Sequence, residues 1–267
     1  MSLPDAPVPL RGIFFDLDDT LIGYAEAEQA ALRSSCLLAA RLNPAIQAGT
    51  LARAIYDIYK TRFAYGTMGY NELASLPVRE FRRRLTETAL EQIGVSVDTS
   101  LVTQLMDAYE AAEAEALKAF PEARETLTQL HAHFKLGVIT NGPSTIQRSK
   151  LAALALDGFF DVIIVDTEFG HPKPDPRIFA HAARHLSLPP DSLLFVGNSL
   201  AYDITGARCA GWISVWMNPS SQPLPPHFQQ ANASTPDYII HHLSDLLTLP
   251  PVARSLPTES LRAQAVQ

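Results

Sequence analysis

The chain has 267 residues, 47% of them hydrophobic, and a formal net charge of −7. That length and apolar content read as a globular protein of one large domain or two smaller ones with a sizeable core. The negative balance excludes a general electrostatic attraction to nucleic acid or anionic lipid, so any phosphate site has to be local.

The opening "MSLPDAPVPLRG" lacks a basic start followed by an apolar run, and no stretch approaches the roughly 18 apolar residues that span a bilayer. With Cys36 and Cys209 far apart, there is no disulfide framework or thiol-rich metal site, and the chain reads as cytosolic and soluble. The first predicted strand is "GIFF", which ends in three acids, Asp16, Asp18 and Asp19. From about Ala25 to Lys118 no strand is predicted, only helical stretches such as "EAEQAALRSSCLLAARL" and "LVTQLMDAYEAAEAEALKAF". A helix over "PEARETLTQLHAHF", with Pro121 in its first turn, restarts an alternation of helix and strand. Its strands are "KLGVIT", "FDVIIV", "LLFVG" and "GWISVWM". Continuous apolar runs of this length suit strands buried on both faces, so the fold class is α/β, a doubly wound parallel sheet. The domains are 1–24 with 119–250 as the α/β core and 25–118 as an inserted helical domain. Residues 251–267, a Pro-led tail of low apolar content, are expected to be loosely attached.

Ligands of open α/β sheets gather at the carboxyl ends of strands, and each unusual polar cluster of this chain falls there. Asp16 and Asp18 are two apart, so an extended backbone sends both carboxylates to one side. A hard divalent cation such as Mg²⁺ resolves their repulsion, although a solvated turn with Asp19 or Thr20 as N-cap explains the same residues. Thr140, Asn141 and Gly142 form a strand-to-helix turn suited to phosphate oxygens, and also an ordinary turn. In "GHPKPDPRIF" prolines 172, 174 and 176 stiffen the loop carrying Lys173, which could neutralise both a carboxylate and a phosphoryl group or be simply solvated. His171 reads as a loop residue. In "LFVGNSLAYDITGA" Asn198 offers a neutral oxygen ligand and Asp203 a charge one turn later, while Asn198 or Ser199 could equally cap a helix.

The four clusters in this order, D-x-D-x-T, strand-T-N, K-P and strand-G-N-S-x-x-x-D, resemble the haloacid dehalogenase (HAD) superfamily, specifically its aspartate-nucleophile phosphatases with a C1-type helical cap. The resemblance covers the first strand and nearly all of Phe120 to Leu249. It implies a Rossmann-like HAD core and a Mg²⁺-dependent phosphatase acting on a small phosphorylated metabolite through an aspartyl-phosphate. Carried over by position, it makes Asp16 the nucleophile, Asp18 the acid and base, and Thr140, Asn141 and Lys173 the phosphoryl holders, with Lys173 balancing charge beside Asp16. Mg²⁺ would be bound by Asp16, the Asp18 carbonyl and Asn198. The family usually has aspartate at position 198, so an amide there implies weaker metal binding unless Asp203 compensates. The family's dehalogenases lack the second aspartate and need no metal, so Asp18 argues for phosphate esters.

The spelling of "FFDLDDTL" and "TNGPSTIQRSKL" is most similar to nucleotide monophosphatases and acylneuraminate-9-phosphatases, with phosphoglycolate phosphatases close. A mutase or phosphotransferase and a non-catalytic HAD-fold binding protein are the competing readings. In the helical insertion, "YDIYKTRFAYGTMGYNEL" and the run Arg79, Arg82, Arg83 and Arg84 are candidates for substrate selection. Their spacing predicts instead that Tyr56, Tyr59 and Phe63 are core and that the arginines form a solvated face.

Overall fold

A computed structural model of the chain describes residues 8–63, 76–229 and 235–256. It divides into two compact units, Met1–Ile22 with Ala119–Gln267, and Gly23–Lys118.

The described secondary structure of Gly23–Lys118 is helical, with α1 (Tyr24–Leu42), α2 (Ala48–Ile58), α3 (Val78–Gln92) and α4 (Thr99–Ala116) as its main elements. Each helix buries one apolar stripe, with Ala39, Leu51, Ile58, Leu90 and Leu105 among the residues of a common core. On α2 that stripe is Leu51, Ala54 and Ile58, spaced three and four apart. Tyr56 and Tyr59 lie off it and are 51% and 40% exposed, which overturns the expectation that they are core. The Phe63 side chain and residues 64–75, where the rest of the aromatic run falls, lie outside the described residues. The arginines are tied down within the unit. Arg79 pairs with Asp107 and Glu110, Arg82 with Glu113, Arg83 with Glu80 and Glu87, and Arg84 with Glu80. Arg82 also covers the Tyr109 ring at 4.3 Å.

In the other unit, α5 (Ala123–His131) leads into an alternating order: β2 (Lys135–Thr140), α6 (Ser144–Ala153), β3 (Val162–Val165), α7 (Asp166–Phe169), α8 (Pro176–Leu186), β4 (Leu193–Gly197), α9 (Thr205–Cys209), β5 (Ile213–Met217) and β6 (Tyr238–Ile240). With β1 (Gly12–Phe15), the described strands form a six-stranded sheet in the order β3-β2-β1-β4-β5-β6, every pair parallel. β1 is central, its four residues are buried, and Phe15 stands level with Val138 on one side and Val196 on the other. Chain order reverses at β1, the topological switch point where open α/β sheets take ligands. Phe14 packs on Trp212 with centroids 5.0 Å apart, and Phe179 and Phe195 complete an aromatic cluster beneath the sheet.

Residues 250–256 are anchored to the sheet unit. Pro250 starts a short helix, Pro250–Ala253, and Val252 is fully buried. The Ser255 hydroxyl accepts from the Leu10 N–H at 3.1 Å, and residues 257–267 of the expected tail lie outside the described ones. No helix among the described residues is long and apolar enough to cross a membrane.

Candidate active site

The carboxyl ends of β1, β2, β3 and β4 bring together the polar groups of the first unit. Asp16 is the first residue after β1, and its N–H donates to the Val196 carbonyl at 2.9 Å, so β4 fixes where the side chain starts. The carboxylate is buried, with Oδ1 2.6 Å from Lys173 Nζ and Oδ2 accepting a long bond of 3.4 Å from the Thr20 hydroxyl. Asp18 departs from the same strand end toward a different cation. Lys150 Nζ lies 2.8 Å from each of its carboxylate oxygens, and Gln147 donates to Oδ2 at 3.1 Å. Asp19 turns the chain at φ 58°, a conformation aspartate tolerates better than most residues.

Lys173 is placed by backbone and side chain together. Asp175 caps α8 by accepting from the Arg177 N–H at 2.9 Å, and Pro176 occupies the first helical turn. Just upstream, the Asn141 side chain accepts from the Lys173 N–H at 2.9 Å and donates to the Lys173 carbonyl at 3.0 Å. The Asn141 amide is therefore spent on positioning the lysine, and only its backbone can face a phosphoryl group. The Lys173 ammonium is 2% exposed and bridges Asp16 to Asp203 Oδ1 at 2.7 Å, over the Phe195 ring at 5.2 Å.

Asp203 has its second oxygen on the Ser199 N–H at 2.9 Å, while Ser199 caps the turn that carries it. Each Asp203 oxygen thus has one partner, Lys173 on Oδ1 and the Ser199 N–H on Oδ2. Its place depends on Gly197, where any Cβ would collide with the Asp203 side chain. Asn198 holds its carbonyl on the Trp216 indole N–H at 2.9 Å, and among the described residues its side-chain amide takes no hydrogen-bond partner.

Thr140 ends β2 with a buried hydroxyl that accepts from Gln147 at 2.6 Å. A hydroxyl that accepts keeps its own proton for an anion. The turn that follows is less open than its sequence implies. The Gly142 N–H donates to Asp166 at 2.7 Å and the Ser144 N–H to the Thr167 hydroxyl at 3.1 Å, so both backbone donors are already used. His171 lies edge-on to Phe169 with centroids 5.6 Å apart, as a loop residue.

Burial raises the Asp16 carboxyl to about 7; Lys173 opposes the rise and Asp203 adds to it. Burial pulls the Lys173 ammonium down, but Asp16 and Asp203 outweigh it and hold its pKa above the ordinary lysine value. With Asp16 ionised, two carboxylates share the one Lys173 ammonium, and a bound cation would offset the excess negative charge. Among the described residues no three His, Cys, Asp or Glu side chains group as a metal site. The donors suited to Mg²⁺ are of a different kind: the Asp16 carboxylate, the Asp18 carbonyl and the unpartnered Asn198 amide oxygen are all hard oxygen ligands.

Sequence reasoning missed Gln147, Lys150, Asp166 and Thr167. Gln147 and Lys150 share the buried face of α6 with Leu151, and polar residues interrupting such a face three apart were the available signal. Asp166 and Thr167 follow a strand directly, as the recognised clusters do.

The family model for haloacid dehalogenase-like hydrolases matches residues 10–211. The chain is 31% identical to the glyceraldehyde 3-phosphate phosphatase of Methanopyrus kandleri, over 77% of this chain and 83% of that one. It is 32% identical to the phosphoglycolate phosphatase of Salmonella typhimurium, over 89% and 91%. Among solved structures, a 2-haloacid dehalogenase from Pseudomonas syringae superposes with a TM-score of 0.64 at 27% identity, over 92% of this chain and all of that one.

Proposed function

The chain belongs to the haloacid dehalogenase-like hydrolases, and from that premise we propose that it is a Mg²⁺-dependent phosphatase of small phosphomonoesters that works through an aspartyl-phosphate on Asp16. The observation that carries this reading is the separation of the two acids. Asp16 is buried against Lys173 and Asp18 is held apart by Lys150 and Gln147, which suits one carboxyl to nucleophilic attack and the other to proton transfer.

A carboxylate oxygen of Asp16 attacks phosphorus, and the bond from phosphorus to the ester oxygen breaks. Asp18 delivers its proton to that oxygen, so the alcohol leaves neutral. Thr140 donates its hydroxyl proton to a phosphoryl oxygen, together with the Asn141 N–H, while Lys173 keeps Asp16 oriented and limits the charge that collects around it. Asp18, now a carboxylate, takes a proton from water as the water oxygen attacks phosphorus. That step frees Asp16 and inorganic phosphate. Asp16, the Asp18 carbonyl and Asn198 would hold Mg²⁺, which when bound would supply positive charge against the phosphoryl oxygens.

The two phosphatases quoted above are named for different esters at near-equal identity, so the reading stops at the class of ester. Dehalogenation draws support from the Pseudomonas likeness, but it gives Asp18 and its two partners no task. The test is hydrolysis of a panel of phosphate esters, among them phosphoglycolate, glyceraldehyde 3-phosphate, nucleoside monophosphates and sugar phosphates, with Mg²⁺ or with chelator. Borohydride trapping of a labelled Asp16 is run alongside, and halide release from 2-chloropropionate is measured. Turnover that survives chelation, or halide release without phosphate release, would sink the proposal. Asn198→Asp should tighten Mg²⁺ at least several-fold in a calorimetric titration, since it replaces a neutral ligand by a charged one. Unchanged or weaker binding would count against Asn198 as a ligand.

A further inference from the structure

We propose that Lys150, assisted by Gln147, is a positioning residue for Asp18, dictating which carboxylate oxygen carries the transferred proton. The proposal rests on the phosphatase reading, in which Asp18 exchanges protons with the leaving oxygen and with water. An ionised carboxylate has about four lone-pair sites. Lys150 Nζ takes one on each oxygen at 2.8 Å, and Gln147 Nε2 takes a second on Oδ2 at 3.1 Å. The site left over belongs to Oδ1.

The holders are themselves fixed. Lys150 has a side chain 7% exposed, against 26% for Asp18, so the buried partner is the cation and the carboxylate reaches outward from it. Gln147 is buried, and the same amide nitrogen lies 2.6 Å from Thr140 Oγ1 and 3.3 Å from the Asn141 carbonyl. One side chain thus registers Asp18 against the hydroxyl that would hold the phosphoryl group. Both holders project from α6 three residues apart, and a helix is a stiffer support for a proton donor than a loop. A carboxyl group that must reach one particular oxygen loses rate steeply with misplacement.

The prediction separates placement from mere stability by the leaving group. An alkyl phosphate needs a proton on its departing oxygen, whereas 4-nitrophenolate leaves without one. With Lys150→Met, kcat for an alkyl phosphate should fall about 10- to 100-fold with KM within about 3-fold. The single-turnover burst with 4-nitrophenyl phosphate should stay within about 3-fold of wild type. Lys150→Gln carries the same comparison if the Met variant does not fold. Equal losses with both esters, or a change confined to KM, would overturn the assignment. Wild-type protein that turned over neither ester would remove the phosphatase reading and this proposal with it, a result distinct from active wild type with indiscriminate Lys150 variants.

Discussion

Lys173→Met should lower the stability of the metal-free protein at pH 8 by about 3–5 kcal/mol, the usual result of removing one member of a buried ion pair. The loss comes from what remains. Asp16 and Asp203 would face each other without the ammonium that now lies 2.6 and 2.7 Å from their oxygens. Methionine fills the stem's volume, and the clamp between Asn141 and position 173 uses backbone atoms, so the loop itself keeps its anchor. The deficit should shrink toward pH 5, where Asp16, whose carboxyl burial already raises to about 7, can take up a proton rather than stay charged. Denaturant unfolding of both proteins at the two pH values checks this. A deficit under 1 kcal/mol at pH 8, or one independent of pH, would mean that Lys173 is not what holds the two acids. Phosphatase turnover should disappear in the same variant.

The sheet was largely legible in the sequence because its central strands are buried on both faces and spell continuous apolar runs. β6 was not: it has three residues at the sheet edge, and Ile239 is 45% exposed. The polar residues that end or follow β1, β2 and β4, Asp16, Thr140 and Asn198, stand out in the sequence, whereas Asp166 and Thr167, which follow β3 in the same way, do not because no motif marks them. The site was opaque wherever the chemistry sits inside a helix. Lys150 is written like any solvated helical lysine, and only the packing of α6 against the strand ends shows that its ammonium is buried on Asp18. The arginine run forms the solvated face its spacing predicts at Arg79, Arg83 and Arg84, but the partners of Arg79 and Arg82 are hidden from a local reading. Asp107, Glu110 and Glu113, which engage Arg79 and Arg82, lie about thirty residues further on, a distance no local pattern bridges.

Asp16→Asn should reduce turnover on the order of 10⁴-fold or more, as loss of a covalent nucleophile does, and the same substitution should change how stability depends on pH. In the folded protein the Asp16 carboxyl is raised from 3.8 to about 7, chiefly by burial. Between those values the folded state keeps a proton that the unfolded chain has released. Its contribution to stability is therefore complete below about pH 4 and is lost as pH rises toward 7, by up to about 1.4 kcal/mol per pH unit inside the window. Lys173 is raised too, but its contribution is lost only as pH rises past the ordinary lysine range, so it is level across the same interval. The carboxyls held down by surface partners, such as Glu168 beside Arg148, give their stabilisation in full above the ordinary carboxylate range and lose it only as pH falls below about 5, so they too are level across this interval. Metal-free wild type should consequently lose stability from pH 5 to pH 7.5, whereas Asp16→Asn, which cannot ionise at that position, should hold level and become the more stable protein at the upper end. Thermal melts of the two proteins in chelator decide it. Parallel profiles would show that Asp16 is already ionised at pH 5, and an inactive variant with a level profile would tie the site's chemistry to the strain of keeping that acid buried.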